Sequence, residues 1–319
     1  MNPSSSTSIL NKVFSSGVKV RVHPESNYRA IFHDGETLRM PIDPSKPISE
    51  LHWSEFYDIS FGTKCVTGKC PFCYAGATSR GVRYTDLAKK IYKFFGQMTD
   101  NQRPTQCAIG GSSEPLEHPE CWDAFDAFHD LGIIPNVTTN AVLLTHAFVE
   151  RFKKYQSGLA VTFHSHLEKH WRRGMEILRE TALPAVATHV IISDRASVEY
   201  AERLYKEYSQ WENVKYFVLL PYKSVGLAAN APKTVDYDAL EVWLDKIWHE
   251  GKIALGANAY NFMVKNNKKY DLQLYPPEIF SKYLVLDDNL TVYNNSFDCR
   301  PVPFSPETGC ALGYARTEF

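Results

Sequence analysis

The sequence predicts an α/β protein built on parallel strands, and two observations carry that prediction. Between about residues 55 and 260, short apolar runs alternate with segments whose apolar residues recur at helical spacing, and the alternation is completed six times. The apolar runs have the character of strands covered on both faces. Such a series implies parallel strands joined by right-handed crossovers. An open doubly wound sheet and a full or partial barrel both satisfy it, and in either the chemistry gathers at the C-terminal ends of the strands.

In chain order, residues 1–54 are rich in Ser, Pro and polar side chains. Pro41, Pro44 and Pro47 break any long element, so this stretch reads as an extension that packs onto something else, with one short strand near Val18–Val22. The strand YDISF (57–61) follows and runs into a cysteine-bearing loop, then a helix over 85–98. Strand–helix pairs come next at 106–111 and 118–131, 133–140 and 146–156, 159–166 and 168–181, 185–193 and 195–209, and 214–222 and 236–250, with one more strand at 252–259. From 261 the alternation stops. YLVLDDNLTVYNN (283–295) reads as a hairpin turning at Asp287–Asn289, followed by a tail containing Pro and Gly. The expected division is an N-terminal extension (1–54), the α/β body (55–260) and a C-terminal extension (261–319).

The 319 residues include 44% hydrophobic and 13% aromatic side chains, which excludes global disorder. With 35 basic and 36 acidic side chains the net charge is −1, which argues against a protein that coats nucleic acid by charge alone. The N-terminus lacks the basic and then apolar regions of a secretory signal, and no run approaches the ~18 apolar residues of a membrane span. A cytoplasmic setting is therefore expected, where clustered thiolates serve as metal ligands or catalysts.

Three of the seven cysteines fall in Cys65-Val-Thr-Gly-Lys-Cys70-Pro-Phe-Cys73, a C-x4-C-x2-C pattern on the loop after the first strand of the body. An odd total excludes a complete set of disulfides, and the triplet spacing is not that of a disulfide framework. Three thiolates on one short loop can converge on one iron–sulfur cluster. Gly68 lets the loop fold tightly, and Lys69 offsets the clustered negative charge. Three ligands are one short of a closed cluster or a structural zinc. The fourth position is then an open iron, a distant cysteine or an exogenous ligand. A competing reading uses the plant-type ferredoxin spacing, with Cys107 as fourth ligand of a 2Fe–2S cluster in a non-catalytic electron-transfer protein. Against it, a ferredoxin needs no six-fold strand–helix series after its cluster.

The second strand of the body ends in Gly110-Gly111-Ser112-Ser113-Glu114-Pro115. Its glycines admit a ligand close to the backbone, and Glu114 offers a carboxylate to an ammonium. His164-Ser-His166 ends the fourth strand, where alternate residues share a face, so the pair can line one pocket.

With these residues in view, the sequence resembles the radical S-adenosylmethionine (radical SAM) superfamily. The resemblance rests on the cysteine loop with Phe72 before its third cysteine and Tyr74-Ala75 after it, on GGSSEPLEHPE (110–120), and on TTNA (138–141) at the end of the third strand. Two departures stand out: the first cysteine gap is one residue longer than the usual C-x3-C, and Ala141 replaces a glycine common in the family.

The resemblance implies a partial (β/α)6 TIM-type barrel over 55–260. Cys65, Cys70 and Cys73 would hold a 4Fe–4S cluster with one iron free for the amino and carboxylate groups of SAM. Gly110, Gly111, Ser112 and Glu114 would receive the methionyl end, with Asn140 beside them, and Phe72 would pack near the adenine. Ser165, Ile192 and Leu220, at the ends of strands four, five and six, would complete the pocket. An electron from a donor such as flavodoxin or ferredoxin would cleave SAM to a 5′-deoxyadenosyl radical that abstracts hydrogen from the substrate. Two substrate classes are open: peptides or proteins, favoured by a tail like that of family members with an added iron–sulfur domain, and nucleotides or nucleic acids, favoured by the basic runs KHWRRG (169–174) and KNNKKY (265–270). Of the remaining cysteines, Cys121 reads as buried packing. Cys299 and Cys310 cannot hold a closed cluster alone, so a second cluster needs Cys107 or another ligand. The tail is expected to close the open side of the barrel.

Overall fold

The computed structural model describes residues 10–15, 17–33, 35–271, 281–296, 300–305 and 309–310. Its body is a parallel series: β5 (Phe56–Ser60), α1 (Leu87–Phe95), β6 (Gln106–Ile109), α2 (Cys121–Asp130), β7 (Ile134–Thr139), α3 (His146–Phe152), β8 (Leu159–Phe163), α4 (Glu168–Glu180), β9 (Val186–Ile192), α5 (Arg195–Tyr208), β10 (Val214–Pro221), α6 (Tyr237–Ile247), β11 (Ile253–Leu255) and α7 (Tyr260–Lys265). β5 to β11 pair in parallel in chain order. The helices start where the sequence supplies caps: Thr145, Asp194 and Asp236 accept from Phe148 N, Ser197 N and Ala239 N. Leu87, Ile91, Phe94 and Phe95 of α1 bury one stripe against the sheet.

Strand alternation sorts the two faces of the sheet. Tyr57 and Ile59, Cys107 and Ile109, Val161 and Phe163, Val190 and Ile192, and Phe217 and Leu219 pack under the helices in one continuous core. On the opposite face stand Asp58, Ala108, Thr138, Ala160, Thr162, Ala187 and His189, all at least partly accessible. The sheet is curled toward that face. Leu227 N, after β10, donates to Cys73 O, after β5, at 2.9 Å, although β6 to β9 lie between the two strands.

Residues before 54 form more than an extension with one strand. β1 (Leu10–Val13), β2 (Lys19–His23), β3 (Tyr28–His33) and β4 (Glu36–Pro41) make a four-stranded antiparallel meander. The period-2 pattern that permits it is present in YRAIFH, buried at alternate positions, and the prolines lie at or beyond the end of β4. The meander sits on the N-terminal ends of the parallel strands. Lys19 Nζ donates to Gly132 O (3.0 Å), and Gln106 Nε2 donates to Thr37 Oγ1 (2.5 Å). Arg21 is fully buried and donates to Trp53 O, Gln102 O and Arg103 O. Removing a buried cation that satisfies three carbonyls leaves those acceptors orphaned. Arg21→Ala is thus expected to lower unfolding free energy by about 3 kcal/mol in urea titrations; a change below about 0.5 kcal/mol would show that the meander is not anchored there.

The C-terminal hairpin is β12 (Ser281–Val285) and β13 (Val292–Tyr293), antiparallel as expected. β12 also pairs in parallel with β5, with Tyr283 opposite Asp58. The tail therefore extends the sheet at the β5 edge: its order runs from β11 to β13, and those two edges do not pair among the described residues. β14 (Phe304–Ser305) and β15 (Gly309–Cys310) form a short separate pair. Cys299 and the side chain of Cys310 lie outside the described residues. Among the described helices none is long and apolar enough to cross a membrane.

Candidate functional site

The cysteine loop leaves β5 at the C-terminal end of the sheet. Cys65, Cys70 and Cys73 are free and half-buried. The sulfurs of Cys65 and Cys70 flank Gly68: a Cβ there would lie 2.9 Å from Cys65 Sγ and 3.5 Å from Cys70 Sγ, and the Cys73 thiol is near enough to act on Cys70. Gly68 is needed for that close approach, while the left-handed turn falls on Lys69 (φ 46°). Backbone amides already point at the sulfurs. Ala77 N donates to Cys73 Sγ at 3.4 Å, and the Gly68 and Glu114 amides donate to Cys65 Sγ. Burial, then the neighbouring Cys73 and Cys65 thiols, push Cys70 up to about 12.

Three crowded thiols of this kind ionise readily only against a cation, and an iron–sulfur cluster is such a partner. Among the described residues no three His, Cys, Asp or Glu side chains are arranged around a single metal ion. A cluster does not ask for that arrangement, because each thiolate meets a different iron, whereas a structural zinc draws all its sulfurs to about 2.3 Å of one ion. The residues present fit a cluster. Cys107 does not join them: it is fully buried on the helix-facing side of β6, level with Tyr57. Cys121, the first residue of α2, is also buried in the core.

The Gly110–Glu114 turn lies beside the loop. Gly110 (φ 145°) and Gly111 (φ 77°) have conformations L side chains avoid, and a Cβ on Gly111 would lie 2.7 Å from Tyr74 Oη. Ser112 Oγ meets Ser60 Oγ at 2.6 Å. Glu114 is buried, accepting from Thr139 Oγ1 and Asn140 N at 2.7 Å each and from Leu116 N at 3.3 Å. Burial pushes Glu114 up to about 7 against those hydrogen bonds. An ionised carboxylate offers about four lone-pair positions, so one stays available to a further donor. Asn140 Nδ2 donates to Thr67 Oγ1 at 3.0 Å, joining the end of β7 to the cysteine loop.

β8 ends at Phe163, so His164 and His166 do not occupy alternate strand positions; Ser165–Leu167 is a 3-10 turn. The two rings still share a side, with Phe72 between 5.5 and 5.9 Å from each. His166 Nε2 lies 2.7 Å from Gly68 O and therefore carries the proton and donates, which removes that nitrogen as a metal ligand. His164 Nδ1 is buried and has no hydrogen-bond partner among the described residues, and burial lowers its pKa to about 4. Ser165 is exposed in the turn. Leu220 lies on the concave side of β10, but Ile192 points into the helix-covered core and Ile191 takes the concave position.

Two features escaped the sequence reading. Glu117 binds the cysteine loop: its carboxylate accepts from Val66 N, Thr67 N and Thr67 Oγ1 and lies 3.7 Å from Arg83 Nη2, with its side chain 5% exposed. Nearby, Glu120 accepts from Leu87 N, and His118 Nε2 donates to Tyr84 O, so the HPE segment fixes the start of α1. The second feature is the concave face, where Asp58 lies near Lys223, whose ammonium rests over the Tyr74 ring. A lone acid in an otherwise apolar strand was the available signal for Asp58.

The fold was compared with known proteins. No family model and no curated protein matches the chain. Solved structures do: Streptococcus suis SuiB bound to precursor peptide SuiA (TM-score 0.57, 16% identity, 78% of this chain and 61% of that one), SuiB bound to S-adenosylmethionine (0.58, 14%, 77% and 61%), and anSMEcpe with AdoMet and the Cp18Cys peptide (0.52, 11%, 77% and 75%). This chain thus spans about three fifths of SuiB. These neighbours are radical SAM enzymes, and the chain has their fold.

Proposed function

We propose that this chain is a radical SAM enzyme acting on a peptide, its body a partial (β/α)6 barrel. One observation carries the reading: the free thiols of Cys65 and Cys70 flank Gly68, with the Cys73 thiol near enough to act on Cys70, at the C-terminal end of a curled parallel sheet beside the Gly110–Glu114 turn. Cys65, Cys70 and Cys73 would hold a 4Fe–4S cluster. Bound there, the cluster and SAM would supply a 5′-deoxyadenosyl radical that takes a hydrogen atom from the substrate. The chain's own part is to bind and orient. The free lone pair of Glu114 and the open backbone at Gly110 and Gly111 suit the methionyl ammonium and carboxylate, and Phe72 with His164 suits the adenine face. An electron donor of the flavodoxin or ferredoxin kind and a cytoplasmic location accompany this reading.

A peptide is favoured over a nucleic acid because one cation in each basic run is already paired with acids. Arg172 pairs with Glu168 and Glu207, and Lys269 with Glu241 and Asp245. A phosphate-binding surface would leave such cations unpaired. The structural neighbours SuiB and anSMEcpe hold peptides, in line with that choice. Anaerobic reconstitution tests the reading. The expected result is a 4Fe–4S resonance that shifts when SAM is added, and 5′-deoxyadenosine after reduction. A 2Fe–2S spectrum indifferent to SAM overturns it.

A further inference from the structure

The concave face of the sheet is hollow where a packed barrel would be full. Barrels of this type are filled by layers of bulky branched side chains. Here Ala108, Ala160 and Ala187 occupy inward positions. Into the hollow projects Asp58, on the opposite face of β5 from the core residues Tyr57 and Ile59. Asp58 is solvent-accessible although it lies mid-sheet, between β12 on one side and β6 on the other. Among the described residues its carboxylate makes no hydrogen bond and no ion pair. Lys223 is the nearest opposing charge, but its ammonium rests 4.8 Å from the Tyr74 ring centroid, and burial dominates over the Lys223 attraction in raising Asp58 to about 6. Tyr283 stands beside Asp58 on the neighbouring strand.

A carboxylate that its surroundings desolvate and no donor satisfies is costly, and the groups that compensate best are cations with several N–H donors. Above it, the contact of Leu227 with Cys73 narrows the mouth; below, the N-terminal meander covers the other end. Such a space admits a side chain more readily than a folded segment. We propose that Asp58 is the substrate-recognition group of this cavity and that it takes a cationic side chain, lysine or arginine, of the peptide. The proposal rests on the radical SAM reading for where the substrate lies.

The test uses the reconstituted full chain with SAM and two small probes, N-acetyl-lysine methylamide and its uncharged isostere N-acetyl-norleucine methylamide. Binding is read by ligand-observed NMR up to about 20 mM, without turnover. The lysine probe should bind at least about tenfold more tightly, and Asp58→Asn should erase the preference while the norleucine probe binds as before. Equal binding of the two probes, no binding of either, or an unchanged preference in Asp58→Asn overturns the assignment. The SAM-induced shift of the cluster resonance, recorded on the same samples, shows that the variant is folded and loaded. Its absence from the parent protein would instead count against the radical SAM reading, so the two failures are told apart.

Discussion

Cys70→Ala is expected to reduce the iron retained after anaerobic reconstitution to background, a loss of about tenfold or more, and with it the SAM-dependent resonance. Cys70 is the middle sulfur of the three. It lies nearest Gly68 O and His166, and its charge is coupled to both other thiols. Removing it leaves two ligands, which cannot hold an open cluster. Cys121→Ala is the matched control, since that thiol packs in the core and should leave iron content unchanged. If Cys70→Ala kept its iron, or if Cys107→Ala lost it in a folded protein, the assignment of ligands would be wrong.

Glu117→Ala should have the next largest effect, although Glu117 touches no sulfur. Its carboxylate takes both amides that follow Cys65 together with the Thr67 hydroxyl, and it lies close to Arg83. Without it the part-buried Thr67 amide loses its acceptor, at about 1–3 kcal/mol, while the exposed Val66 amide turns to water. The loop conformation that brings Cys65 toward Cys70 would be less populated by that amount. The cluster is expected to be stripped by a chelator about 100-fold faster, followed as loss of its visible absorbance. Glu117→Gln should fall between, because its amide oxygen accepts while its NH2 group meets donors. A stripping rate equal to that of the parent protein would show that the loop holds itself.

Much of the body was legible in the sequence because strand and helix periods are local. The six strand–helix pairs appear where apolar spacing placed them, with helix starts set by Thr145, Asp194 and Asp236. The strand ends were less legible. The strand was expected to run on through His166, but the apolar alternation of Leu159, Val161 and Phe163 ends at Phe163 and the chain turns there. The meander of β1 to β4 was missed because its strands are short and its prolines dominate the reading, although YRAIFH alternates as a half-buried strand should.

For the site, residue type and spacing alone singled out Cys65, Cys70 and Cys73 and the Gly110–Glu114 turn, since a cluster loop and a ligand turn are contiguous in sequence, whereas Asn140 came only with the family resemblance. Which side of the sheet a strand-end residue faces was not legible. Ile192 and Ile191 differ by one position, and only the pleat register sends the first into the core and the second into the hollow. The Glu117 clamp, the exclusion of Cys107 from the ligand set, and the cavity around Asp58 all depend on contacts between segments far apart in the chain. Sequence spacing carries no information about such contacts. The curl of the sheet creates them, and that curl is a property of the assembled strands rather than of any one of them.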